Sequence, residues 1–237
     1  MPHILANALA GADPDRNVPI TIWAHRGCVP FITREMFDNI YWPTLKPIFE
    51  EIISKGHQIL FYGEGNSESH YDDLLELPAG GIIYHIDKGS PRYTARKLKP
   101  KFAVSGGLSY DVLARGTRDD VLESMKSLFE DVKGDGGYIL DASALMLSDI
   151  KPENVKTAVE YTLDHGAYSR TYAAKPMEKP AAARSIPLGS RKPNVCRPWE
   201  IESSEHKKLS GDVALVKSQW EKVDSAAYNY VWTSVLW

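Results

Sequence analysis

Five short apolar runs, each followed by a longer stretch with helical spacing, constrain this chain more than any other feature. The runs are VPITIWA (18–24), QILFY (58–62), GIIYHI (81–86), KFAVS (101–105) and GYIL (137–140). Between the last two, Val121, Leu122, Met125, Leu128, Phe129 and Val132 fall at helical spacing. Thr117 and Asp120 stand as a capping box before them and Gly134 just past the end. A second helix is predicted from Pro152 to His165, with Val155, Ala158, Val159, Thr162 and Leu163 as its inner stripe and Gly166 as its stop. The stretch ITREMFDNIYWPTLKPIFEEIISKG reads as helical too, and Pro43 and Pro47 should kink or divide it.

Strand, helix, strand in repetition argues for parallel β/α units with both sheet faces covered. About five units are visible. An eight-unit barrel takes about 250 residues of repeat, whereas here the last third has another character. The α/β reading therefore divides into an open doubly wound sheet and the larger part of a barrel whose first units are missing.

The expected segments are an N-terminal helical stretch (1–17), the β/α units (18–166), a Pro-rich linker or wrapping arm (167–210) and a C-terminal amphipathic helix (211–237). The arm carries many lysines and arginines and few large apolar residues. Asp212 is the expected N-cap of the last helix. Trp220, Val223, Ala227 and Tyr230 share one of its faces, with Trp232 and Trp237 beyond, a stripe that suits core or subunit contact.

The 237 residues are 43% hydrophobic, enough to bury a substantial core. The formal net charge is -3 and the basic residues are scattered, which argues against nucleic acid or a membrane surface as partner. No run approaches the length of a membrane helix. MPHILANALAGADPDRN lacks the basic start and apolar centre of a signal peptide. Two cysteines far apart, Cys28 and Cys196, suit a reducing cytoplasm.

In parallel β/α folds, residues just past the carboxyl ends of the strands face the ligand crevice. Here those positions hold His25, Arg26 and Cys28 (WAHRGC), Glu64 (GEGN), His85 and Asp87 (YHIDKGS), Gly106 and Gly107 (VSGGLS), and Asp141 and Ser143 (LDAS). Each has a structural alternative. Glu64 can be a solvated turn residue, His85 a hydrogen-bonded strand-end residue and Asp141 a turn cap. The GxG around Glu64 lacks the third glycine of the dinucleotide fingerprint and the lysine of a Walker loop. His25 and Cys28 alone supply zinc with two ligands where a stable site takes at least three. Folding does not require charged groups at four successive strand ends, so together they point to a site.

The stretch FAVSGGLSYDVLARGTRDDVLESMKSLFEDVKGDGGYILDASALMLSDIKPENVKTAVEYTLDHG resembles the C-terminal half of the uroporphyrinogen decarboxylase (URO-D) superfamily, and YWPTLKPIFEEIISKGHQILFYGEGN resembles its preceding units. The closing SQWEKVDSAAYNYVW is similar to the C-terminal helix of a longer branch. The resemblance covers about residues 18 to 166 and implies a partial (β/α)8 TIM barrel of about five C-terminal units. It also implies an incomplete sequence, a split subunit completed by an N-terminal half barrel or a homodimer, or a marginal half barrel.

The reaction is read residue by residue. Decarboxylases of the family need no cofactor and carry a histidine shortly after the strand matching GYIL, where this chain has Ser143 and Ala144. Corrinoid-dependent methyltransferases hold zinc with a His-x-Cys at the strand end matching FYGEG, where this chain has Tyr62 and Glu64. A third group, similar to methyltransferases that pass methyl from small donors to a corrinoid protein, keeps a glutamate and an aspartate at the positions of Glu64 and Asp87. The resemblance therefore implies Glu64 and Asp87 as catalytic residues and a corrinoid on a partner protein. The strand-end positions add Asp141 to the catalytic set, Arg26, Tyr62, His85, Gly106 and Gly107 as substrate-binding residues, and His25, Glu64 and Asp87 as a metal set that would accept zinc. Porphyrinogen decarboxylation and a non-catalytic fragment or interaction subunit are the alternatives.

Overall fold

The computed structural model of the chain describes residues 2–134, 136–144, 148–168, 199–205 and 211–235. Five strands, β1 (Ile20–Ala24), β2 (Ile59–Gly63), β3 (Ile82–Ile86), β4 (Ala103–Gly106) and β5 (Tyr138–Ile139), form one all-parallel sheet in sequential order. Helices connect them: α1 (Pro2–Ala10) precedes β1, and α2 (Arg34–Met36) and α3 (Trp42–Ser54) link β1 to β2. They are followed by α4 (Tyr71–Leu74), α5 (Pro91–Leu98), α6 (Tyr110–Arg115), α7 (Arg118–Leu128) and α8 (Pro152–His165). This is an α/β fold of parallel β/α units, consistent with a partial (β/α)8 barrel. Among the described residues β1 and β5 each pair on one side only.

Strand register divides the side chains into two faces. Ile22, Phe61, Tyr84, Val104 and Tyr138 are register partners across the sheet and lie on the helix-covered face. Phe49 of α3 meets Phe61 edge-on at 5.2 Å, and Ile48, Ile52 and Ile53 are buried beside it. Each such side chain contributes about 1.5–3 kcal/mol on leaving water. Trp23, Tyr62, His85, Ser105 and Ile139 form the matching row on the opposite face.

The stretch that holds Pro43 and Pro47 is divided, but the break lies earlier than either proline. Residues Phe37–Tyr41 form a π-helical turn, in which the Trp42 N–H donates to Phe37 O. The wider turn relieves the clash of Pro43 with the preceding carbonyls, and Pro47 is carried inside α3.

Thr117 and Asp120 form the reciprocal capping box of α7, and α7 also runs into a π turn, Phe129–Lys133. In α8 the inward stripe differs from the expected one. Asn154, Thr157 and Ala158 are buried, whereas Val159 and Leu163 are exposed. The reason is polar: the Asn154 side-chain amide donates to Val112 O, Leu113 O and Gly116 O at 3.0–3.3 Å, so it must face α6.

The remaining described residues form a separate unit containing α9 (Trp199–Glu205) and α10 (Val213–Val235). Asp212 caps α10, its carboxylate accepting the Leu215 N–H. Val223, expected on the apolar face of α10, is exposed, and Asp224 is buried instead. Most of the Pro-rich arm, Cys196, Trp237 and the side chains of Tyr230 and Trp232 lie outside the described residues. Among the described residues no helix is long and apolar enough to cross a membrane.

Candidate functional site

The site lies where the strands end. Trp23, Tyr62 and His85 occupy one transverse row because neighbouring parallel strands keep the same inward–outward phase. Their rings stack in sequence. Trp23 and Tyr62 lie 4.6 Å apart at an interplanar angle of 14°, and Tyr62 and His85 lie 3.7 Å apart at 16°.

The ladder is closed at one end and open at the other. His85 has no exposed surface, while Trp23 is 41% exposed. The His85 Nδ1 is 3.2 Å from Ser105 Oγ and 3.6 Å from an Asp141 carboxylate oxygen, and among the described residues its Nε2 has no hydrogen-bond partner. Burial is the main cause that pushes this imidazole down to about 4, against the pull of Asp141 and the Ser143 backbone. At neutral pH the ring is uncharged.

Beyond the row sits a ring of carboxylates. Glu64 pairs with His25, whose Nδ1 is 3.0 Å from its Oε2. Asp87 accepts the Gly65 N–H at 2.6 Å. Burial chiefly raises the Asp87 carboxyl; the Gly65 N–H and Lys88 oppose the rise and Glu64 adds to it. Asp141 accepts the N–H of Ala142, the turn-capping role open to it from sequence, and also approaches His85. All three carboxylates act on Tyr62, whose phenol is raised first by burial and then by Asp87, Asp141 and Glu64.

The glycines serve close approach. Gly106 sits at φ +80°, and a Cβ there would come within 2.8 Å of the His85 ring and 2.7 Å of Ile86 O. Its carbonyl accepts the Tyr138 hydroxyl at 2.9 Å. Gly107, at φ +88°, donates its N–H to Ile86 O. Arg26, at φ +57°, places its guanidinium over the Phe31 ring at 5.9 Å and takes its contact there instead of with the cluster.

The zinc set fits less well. His25 and Glu64 come together, but Asp87 is engaged by Gly65, and among the described residues no three His, Cys, Asp or Glu side chains are grouped to hold a metal ion. The arrangement offers zinc two of the three ligands a stable site takes. Cys28 is buried under the same loops, its thiol raised by burial before the effects of Glu64 and Asp87.

Two participants escaped the sequence reading. Trp23 and Ser105 carry no charge and lie inside strands, so strand-end chemistry does not flag them. The signal that finds them is phase, since Trp23 pairs with Tyr62 and Ser105 with His85 in the sheet.

A search of the curated proteins found no match. The sequence model of the family described as uroporphyrinogen decarboxylase (URO-D) matches residues 21–165, which takes in all five strands, the aromatic ladder and the three carboxylates. With more than half of its length matched, the chain belongs to the uroporphyrinogen decarboxylase family.

Proposed function

We propose that this chain carries the acidic part of the active centre of a URO-D-superfamily methyltransferase, which passes a methyl group from a small donor to a corrinoid held by a partner protein. The observation behind this reading is the gathering of Glu64, Asp87 and Asp141 around Tyr62. Uroporphyrinogen is itself a polycarboxylate, and a carboxylate-rich rim opposes it by like-charge repulsion. A small neutral or cationic donor meets no such penalty.

The roles follow from the environments. Asp87, its carboxyl raised chiefly by burial, is the group placed to exchange a proton with the leaving heteroatom. Glu64 and His25 form a second proton-transfer couple. Neutral His85, held by Ser105 and Asp141, fixes the Tyr62 ring stacked against it. The corrinoid supplies the nucleophile that receives the methyl group. The open face of the sheet is closed by further β/α units, from an N-terminal half barrel or a second copy of the chain. A reducing, cytoplasmic setting suits the free Cys28 thiol.

The test is methylation of cob(I)alamin by candidate donors, using the protein with its barrel-completing and corrinoid partners. Asp87→Asn and Glu64→Gln should each lower turnover by about 10²–10⁴-fold. Coproporphyrinogen released from uroporphyrinogen would replace this reading with decarboxylation. Turnover indifferent to both substitutions would favour a non-catalytic role.

A further inference from the structure

The aromatic ladder ends in an indole at the edge of the sheet. Trp23 uses one face against Tyr62 and remains 41% exposed. His25 stands beside that ring, centroid to centroid 5.9 Å and tilted by 57°. Its imidazole is tied to Glu64 at 3.0 Å, and both side chains are about half exposed. A part-exposed indole, an imidazole wall and a carboxylate thus meet at one corner.

The corner is electronegative in two independent ways. An indole presents the most negative ring face among the side chains. Glu64, Asp87 and Asp141 also bear on the middle ring of the ladder, as the raised Tyr62 phenol records. Among the described residues the Arg26 guanidinium sits over Phe31, and Lys88 offsets part of the Asp87 charge.

We propose that Trp23, His25 and Glu64 form a binding corner for a quaternary ammonium group, so that the methyl donor is a methylated amine cation. Such a cation is bulky, has no N–H to donate and is weakly hydrated. It gains from an aromatic face and a neighbouring carboxylate without needing directed hydrogen bonds. A neutral aryl ether would stack on the indole but gain nothing from the carboxylates.

The proposal rests on the methyl-transfer reading for its consequence alone. The C–N bond breaks with both electrons staying on nitrogen, and the new bond to carbon uses the electron pair of the corrinoid nucleophile. The departing tertiary amine is neutral and basic, and takes a proton from water.

The test compares choline with its neutral isostere 3,3-dimethylbutan-1-ol by titration calorimetry on the full chain at low salt. Choline should bind at least about fivefold tighter, and equal or reversed affinities would overturn the proposal. Trp23→Ala should abolish the preference and Glu64→Gln reduce it, with circular dichroism unchanged. The wild-type comparison decides even if a variant fails to fold. If choline binds at the corner but no onium donor methylates the corrinoid, the methyl-transfer reading falls and the site stands. If neutral methyl ethers are demethylated while choline does not bind, this proposal falls and the methyl-transfer reading stands.

Discussion

Gly65 shows how narrowly single residues hold the site. Its φ is +87°, and a Cβ there would lie 2.3 Å from the Cys28 sulfur. Its N–H is also the donor to Asp87. Gly65→Ala combines left-handed backbone strain with a clash against a buried thiol, and should cost about 2–4 kcal/mol by urea denaturation. A loss below about 0.5 kcal/mol would mean the loop relaxes freely. His85 sets a second expectation, this time on pH. Its folded value of about 4 lies below the 6.5 of an unperturbed imidazole. Between those values the unfolded chain binds more protons than the folded one, so its contribution is complete above about pH 6.5 and is lost as pH falls toward 4. The span amounts to about 3 kcal/mol. His70, buried and also lowered, acts in the same direction. Unfolding midpoints at pH 7 and pH 5 should therefore separate, and His85→Gln should shrink the separation. Midpoints with the same pH dependence in variant and parent would refute the assignment.

At the scale of elements, the last unit is joined by a polar clamp. Asn154 on α8 is buried and donates to three carbonyls around the end of α6, while the Lys151 ammonium donates to Arg115 O and Gly116 O. These carbonyls lie in and just past the last turn of α6, where helix acceptors run short of intrahelical donors; Val112 O also keeps the Gly116 N–H and Leu113 O the Lys151 N–H. Asn154→Ala should cost about 1–2 kcal/mol, since it removes a buried donor while each of the three carbonyls keeps one other partner, the Gly116 N–H, the Lys151 N–H or the Lys151 ammonium. Asn154→Asp should be worse, because it sets a carboxylate against carbonyl oxygens. Denaturant midpoints for the pair test this order. The same clamp explains why apolar periodicity misjudged α8. Val159 and Leu163 have the spacing of an inner stripe, yet the helix turns Asn154 inward and leaves them exposed. Periodicity counts methyl groups and is blind to where an amide finds its partners.

For the whole molecule, the decisive feature is a sheet with one helix-covered face and one open row. Ile139 is 52% exposed at one end of that row and Trp23 lies open at the other. Among the described residues each sits on a strand paired on one side only. Such edges recruit further strands, so the chain alone should self-associate at micromolar concentration in sedimentation velocity. Ile139→Lys should suppress that association with little change in thermal midpoint; undiminished association would place the contact elsewhere. The sequence by itself determined the β/α rhythm, the caps at Thr117 and Asp212, the helix running from Pro152 to His165 and the polar residues at each strand end. All of these rest on interactions between residues close in the chain. Only the tertiary structure decided that Trp23, Tyr62 and His85 stack, that His25 meets Glu64 across 39 residues, and that Asp87 turns to Gly65 instead of joining them. Those contacts depend on register between strands and on loop paths after them, and neither is written in the spacing of any one segment.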